Sequence, residues 1–198
     1  MVEPLILASA SPRRRHWIEA VRIPFEVDVP EINEDLLPGE SPAEMVSRLS
    51  GKKALSVALR RPGRWVLAAD TTVVVDGVVL GKPRDADDAF RMLSMMQGRS
   101  HLVHTGVCLM NMNGGESHGF VDTAEVRLRN LTEGQIRRYV ATGEPMDKAG
   151  AYAAQGMAAL FIERIAGSFA TVMGLPIERL GGLFAELGLL ERWFGPIP

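Results

Sequence analysis

The most restrictive stretch of the chain is WVLAADTTVVVDGVVLGKP, residues 65–83. Two apolar runs flank Asp76-Gly77, a pair suited to the positive backbone angles of a tight turn. The stretch therefore reads as a strand interrupted by Asp70, a turn, and a returning strand. Elsewhere helical and strand patterns alternate. Leu5–Ala8 is a buried strand leading to a helix from Pro12 to about Val21, with Ser11 as N-cap. Residues 25–29 alternate like a strand, and residues 41–59 form a helix opened by Ser41, Pro42 at its first position and Glu44 in a capping box. A helix over 85–98 ends at Gly98, and two strands follow around the glycines near 114. Thr132 caps a helix closed by Gly143. Residues 158–167 read as strand, turn and strand, and residues 175–190 as a terminal helix interrupted by Gly181-Gly182. Helices alternating with strands, with hairpins mixed in, predict an α/β fold with a mixed sheet.

The chain has 198 residues, 46% hydrophobic and 23% charged, the profile of a globular protein with ample length for a core. A net charge of −2 argues against a general nucleic-acid binder, which carries a basic excess. The single cysteine, Cys108, excludes an intrachain disulfide and fits a reducing compartment. No apolar run approaches the ~18 residues of a membrane span. The Ala-Ser-Ala at 8–10 lacks the basic and long apolar segments of a secretory signal, so a cytoplasmic protein without membrane contact is expected.

Four stretches carry chemistry. Ser9-Ala10-Ser11-Pro12-Arg13-Arg14-Arg15 leads from a strand through small residues into a helix start, where free backbone N–H groups, hydroxyls and guanidinium forks suit an anion. A capped helix with solvated arginines is the alternative. Successive helical residues diverge by ~100°, so one or two of the arginines face any ligand. Asp70 lies in an otherwise apolar strand, where a carboxylate is costly unless it is paired or binds a metal. Lys82 closes the hairpin whose first strand carries Asp70; its glycine spacing and Pro83 rule out a P-loop. Residues 144–156, EPMDKAGAYAAQG, form a polar glycine-punctuated loop whose Gln155 and Tyr152 suit recognition of a base. His16, His101, His104 and His118 lack metal-ligand spacing. Together these features describe a nucleotide hydrolase.

The blocks LILASASPRRR, GKKA, AADTTVVVDGVVLGKPRDADDA, MLSMMQGRSHLVHTGVCL, EPMDKAGAYAAQG and GSFATVMGLPIERL resemble, in order, those of the Maf-type nucleoside triphosphate pyrophosphatases. The resemblance implies one domain over 1–198, a twisted mixed sheet with flanking helices in two lobes around a nucleotide cleft, similar to the inosine-triphosphate pyrophosphatases. It implies hydrolysis of a nucleoside triphosphate to monophosphate and pyrophosphate with Mg²⁺ or Mn²⁺, in a cytoplasmic homodimer. AADT followed by DKAGAY and Gln155-Gly156 is similar to the branch acting on dTTP and UTP. By this resemblance Asp70 is the proton acceptor, and Arg13, Thr71 and Gln155 govern substrate choice. Ser9, Arg13, Arg14, Lys52 and Lys82 line the phosphate site, and Glu34 with Asp70 holds the metal. Phe169 stands where the family commonly has tyrosine, and Ala153-Ala154 where it has a glycine-apolar pair. Coordination would lower the basicity of Asp70, so it serves either as base or as ligand. The rival reading is a non-catalytic nucleotide sensor linked to septum formation.

Overall fold

Alternate residues of a strand face opposite sides of a sheet, and this parity organises the fold of the protein. The computed structural model describes residues 3–195. In chain order the elements are β1 (Leu5–Leu7), α1 (Pro12–Ala20), β2 (Phe25–Val27), α2 (Pro42–Ala58), β3 (Val66–Val75), β4 (Val78–Leu80), α3 (Ala86–Met96), β5 (Ser100–Asn111), β6 (Glu116–Leu128), α4 (Glu133–Val140), β7 (Ile162–Ala166), α5 (Phe169–Val172), α6 (Ile177–Glu186) and α7 (Leu189–Phe194). Three short 3₁₀ turns, Glu144–Asp147, Ala149–Ala151 and Met157–Phe161, lie between α4 and β7. The strands form one mixed seven-stranded sheet in the order β2-β1-β3-β5-β6-β7, with β4 also on β3. β1 runs parallel to β2 and β3, whereas β4 is antiparallel to β3 and β7 to β6. The fold is α/β, as expected. Among the described residues no helix is long and apolar enough to cross a membrane.

The chain divides into two compact units. The first comprises residues up to Asp70, Thr105–Val121 and the chain from Gly174. One face of its strands presents Leu5, Leu7, Leu67, Ala69, Val107 and Leu109 to Ile18 of α1, Leu180 and Phe184 of α6 and Trp193 of α7. The opposite parity, Ile6, Ala8, Val66, Ala68 and Cys108, meets Ala54, Val57 and Ala58 of α2. Helix α2 starts with the expected capping box: Ser41 Oγ accepts from Glu44 N, and the Glu44 carboxylate accepts from Ser41 N.

Gly106 of β5 sets how closely α2 can approach. A Cβ at this position would overlap the backbone carbonyl of Val46 and crowd Ser47 N at 2.8 Å. Backbone cannot swing aside as a side chain can, so Gly106→Ala is expected to lower stability by about 1–3 kcal/mol, the usual cost of overpacking. Gly51, inside α2 itself, has open space around its Cβ direction. Gly51→Ala is therefore expected to raise stability by about 0.5–1 kcal/mol. Urea midpoints of the two variants check the contrast; equal midpoints would refute it.

The second unit comprises Thr71–His104 and Asp122–Met173. Its core joins Val73 and Val75 of β3, Leu93 and Met96 of α3, Val126 and Leu128 of β6, and Ile136 and Tyr139 of α4. The turn between β3 and β4 falls on Asp76 and Gly77, whose φ angles are 49° and 78°.

Four local expectations are corrected. Ser11 occupies the N-cap position of α1, but its side chain makes no capping bond. β3 runs without a break through Asp70, because an extended backbone accepts any side chain and the carboxylate's cost is met elsewhere. Residues 157–161 are a 3₁₀ turn, so only Ile162–Ala166 is strand. The terminal helix passes through Gly181-Gly182 and breaks at Gly188, where φ is 65°. Packing of Leu180 and Phe184 outweighs the weak helix propensity of the glycine pair.

Candidate active site

β1 delivers the chain to Ser9, which is buried and turned back so that its N–H donates to Leu7 O at 2.9 Å. Ser9 Oγ accepts from Ser11 N at 3.1 Å and from Arg14 Nη1 at 3.3 Å. Arg14 Nε donates to Gly174 O at 2.9 Å. This guanidinium is thus anchored by the loop before its own helix and by the turn before α6. Burial lowers its pKa, an effect opposed by the nearby charge of Asp70. The three arginines diverge as helical geometry requires. Arg15 is exposed and pairs with Glu19 at 2.8 Å, Arg13 is half-buried, and Arg14 points inward.

Asp70 shares strand parity with Val66 and Ala68, so it faces α2. There it meets Lys53. Lys53 Nζ lies 2.6 Å from Asp70 Oδ1 and 2.9 Å from Glu34 Oε1, so one ammonium bridges two carboxylates. The side chains of Lys53 and Asp70 are each 10% exposed, against 57% for Glu34. Burial raises the Asp70 pKa above the ordinary aspartate value, and the charge and hydrogen bond of Lys53 only partly offset it. Arg14 acts in the same direction as Lys53, and Glu34 against it. The loop carrying Glu34 is tied to α2 by Arg48, whose Nε and Nη2 reach the two oxygens of Glu40 at 2.5 and 2.6 Å. Arg48 Nη2 also donates to Asp35 O at 3.2 Å.

The first unit therefore brings together Ser9, Arg14, Glu34 and Asp70, with Arg13 close enough for its charge to act on Arg14. Lys52 is exposed on α2, and Lys53 is the lysine that reaches the carboxylates. Sequence reasoning missed Lys53, although the helical phase points to it. Val46, Leu49, Ser50, Lys53, Ala54 and Val57 form the buried stripe of α2, and Lys52 falls ~100° outside it.

Thr71, Lys82 and Gln155 belong to the second unit. Thr71 is half-buried, whereas Lys82 and Gln155 are exposed. Gly150 N donates to Gly81 O at 3.0 Å, which ties the hairpin end bearing Lys82 to the segment bearing Gln155. That segment is less polar in its packing than its sequence suggests: Pro145 and residues 150–154 are buried. His101 is a buried structural residue whose Nε2 lies 2.8 Å from the Tyr152 hydroxyl, and burial lowers its pKa to about 4.

Among the described residues no group of three or more His, Cys, Asp or Glu side chains could hold a metal ion alone. Glu34 and Asp70 nevertheless fit a hard divalent ion completed by substrate oxygens and water, since both already converge on a single cation, the Lys53 ammonium.

The chain as a whole is similar to known proteins. A dTTP/UTP pyrophosphatase of Symbiobacterium thermophilum is 49% identical over 187 residues, covering 94% of this chain and 95% of that protein. A dTTP/UTP pyrophosphatase of Syntrophomonas wolfei is 45% identical over 182 residues, covering 92% and 96%. The solved Ham1 protein of Staphylococcus aureus has the same fold, with a TM-score of 0.50 at 11% identity, covering 93% of this chain and 100% of that one. The family model described as Maf-like protein matches residues 4–187, and the chain belongs to the Maf family.

Proposed function

We propose that the protein is a nucleoside triphosphate pyrophosphatase that hydrolyses dTTP and UTP to the monophosphate and pyrophosphate. The observation that carries this reading is Asp70: a buried carboxylate with a raised pKa, held by Lys53 beside the anchored guanidinium of Arg14. Two relatives of known name, similar over more than nine-tenths of the chain, support the substrate pair.

In this reading Asp70 accepts a proton from the water that attacks the α-phosphorus. The bond to the bridging oxygen breaks in line, and pyrophosphate leaves with the electron pair. The substrate is polyanionic, so the work of the other residues is placement and charge neutralisation. Ser9, Arg13, Arg14 and Lys53 serve the phosphates, and the family resemblance adds Lys82 to them. Glu34 would hold Mg²⁺ or Mn²⁺, with Asp70 left free as the base, and the ion would neutralise negative charge on the phosphates when bound. Thr71, Arg13 and Gln155 select the base.

The test is hydrolysis of dTTP, UTP, CTP, ATP, GTP and 7-methyl-GTP by purified protein, with Mg²⁺, with Mn²⁺ and after chelation. Pyrophosphate and monophosphate are expected chiefly from dTTP and UTP, with turnover lost on chelation and restored by either ion. Release of inorganic phosphate and a diphosphate would assign the chemistry to the wrong bond. Nucleotide binding without any turnover would favour the sensor.

A further inference from the structure

The segment carrying Gln155 is built of short 3₁₀ turns, and one carboxylate gathers several of its bonds. Glu144 accepts from three donors: the Tyr139 hydroxyl at 2.9 Å, Met157 N at 3.1 Å and Ala158 N at 3.4 Å. The Tyr139 hydroxyl oxygen in turn accepts from Ala153 N at 3.2 Å. These bonds bracket Gln155, with Ala153 two residues before it and Met157 two residues after. Gly156 makes room for the arrangement, since a Cβ there would lie 2.6 Å from the Glu144 carboxylate atoms. One acid–phenol pair thus joins the turn bond from Gly156 N to Ala153 O, at 3.0 Å, in holding the backbone on both sides of Gln155. Tyr139 itself is buried in the core of the second unit, edge-on to Phe161. Gln155 is exposed, and its amide makes no hydrogen bond among the described residues.

We infer that Glu144 is a positioning residue for base selection, acting through Tyr139 and the amides of Met157 and Ala158 to fix the backbone from which the Gln155 amide projects towards a base. The inference rests on the proposed role of Gln155. A primary amide has a donor end and an acceptor end. Uracil and thymine offer an N3–H donor beside carbonyl acceptors, whereas cytosine offers an N3 acceptor beside an N4 donor. An amide held in one direction distinguishes the two patterns, but one on a loose segment turns over and serves both. Discrimination against the wrong pattern therefore depends on rigidity of the backbone around Gln155.

The experiment compares kcat and KM for UTP and CTP, with melting midpoints, in the full-length wild type and in Glu144→Ala, Glu144→Gln, Gly156→Ala, Gln155→Ala and the Glu144→Ala/Gln155→Ala double variant. Glu144→Ala is expected to lower the preference for UTP over CTP roughly tenfold, the worth of about one well-placed hydrogen bond, through KM and not kcat. Gly156→Ala, which evicts the carboxylate without removing it, is expected to do the same. Glu144→Gln, which keeps one acceptor oxygen, should fall between. In the double variant the preference should be no lower than in Gln155→Ala alone, because the two residues act as one unit. A folded Glu144→Ala or Gly156→Ala with the wild-type preference, beside a relaxed Gln155→Ala, overturns the inference alone, as do additive effects in the double variant. A wild-type preference in Gln155→Ala overturns the role of Gln155 and the inference with it. If Glu144→Ala does not fold, Gly156→Ala and Glu144→Gln decide.

Discussion

Asp70→Asn is expected to lower turnover of the preferred nucleotide by about 10²–10⁴-fold while nucleotide affinity stays close to that of the wild type, the range for loss of a placed general base. Asparagine keeps the shape of the side chain but cannot take the proton from the attacking water. Burial is what suits Asp70 to that task, because a carboxyl with a raised pKa binds a proton more readily than an exposed one. The same shift has a signature in stability. The folded state of the metal-free protein holds the Asp70 proton to higher pH than the unfolded chain does. Stability from this group is therefore complete below ~3.9 and is lost as pH rises through the raised value. Asp70→Asn abolishes that loss. Urea midpoints of the metal-free proteins between pH 4 and 7 check it, together with single-turnover hydrolysis of dTTP. Retained turnover in Asp70→Asn would remove Asp70 from the chemistry.

Lys53→Met carries the second large effect. Removing one partner of a buried ion pair leaves the other charge uncompensated, and the expected loss of stability at neutral pH is about 3–5 kcal/mol. Both side chains are 10% exposed, so solvent screens the pair little. With Lys53 gone, the largest opposing influence on Asp70 disappears and its pKa climbs further. The stability loss should then shrink on acidification, since a protonated carboxyl needs no ammonium beside it. Adding Asp70→Asn to Lys53→Met should recover much of the stability, because no buried charge remains unpaired, but none of the turnover. Denaturation of the two variants at pH 7 and pH 5 measures both claims. Wild-type stability in Lys53→Met at pH 7 would show that the ammonium does not sustain the ionised carboxylate.

Where local chemistry and packing agree, the elements could be read directly. The hairpin turn at Asp76-Gly77, the capping box at Ser41 and the cap at Thr132 lie where expected, because each depends on a few adjacent residues. The serine and arginine corner and Asp70 were legible for the same reason. Lys53 was missed because a charged residue was sought outside the apolar stripe of α2, although Val46, Leu49, Ala54 and Val57 set a phase that includes Lys53 and leaves Lys52 out. Gly181-Gly182 misled because propensity is a local signal, whereas Leu180 and Phe184 are held by residues far away in the chain. The role of Glu144 left no trace in spacing either, since its partners lie five residues before it and 13 and 14 residues after it, across a turn-rich segment.

The bridge made by Lys53 also sets the charge that an arriving nucleotide meets. Glu34 and Asp70 bring two negative charges to this corner, and Lys53, Arg14 and Arg13 bring three positive ones. A pair of carboxylates alone would repel a triphosphate until a metal ion had been captured. With a lysine built between them, the corner is electropositive on balance without any metal ion, so a triphosphate meets attraction there from the start. The ammonium works as a resident counterion, present whether or not the proposed ion is bound.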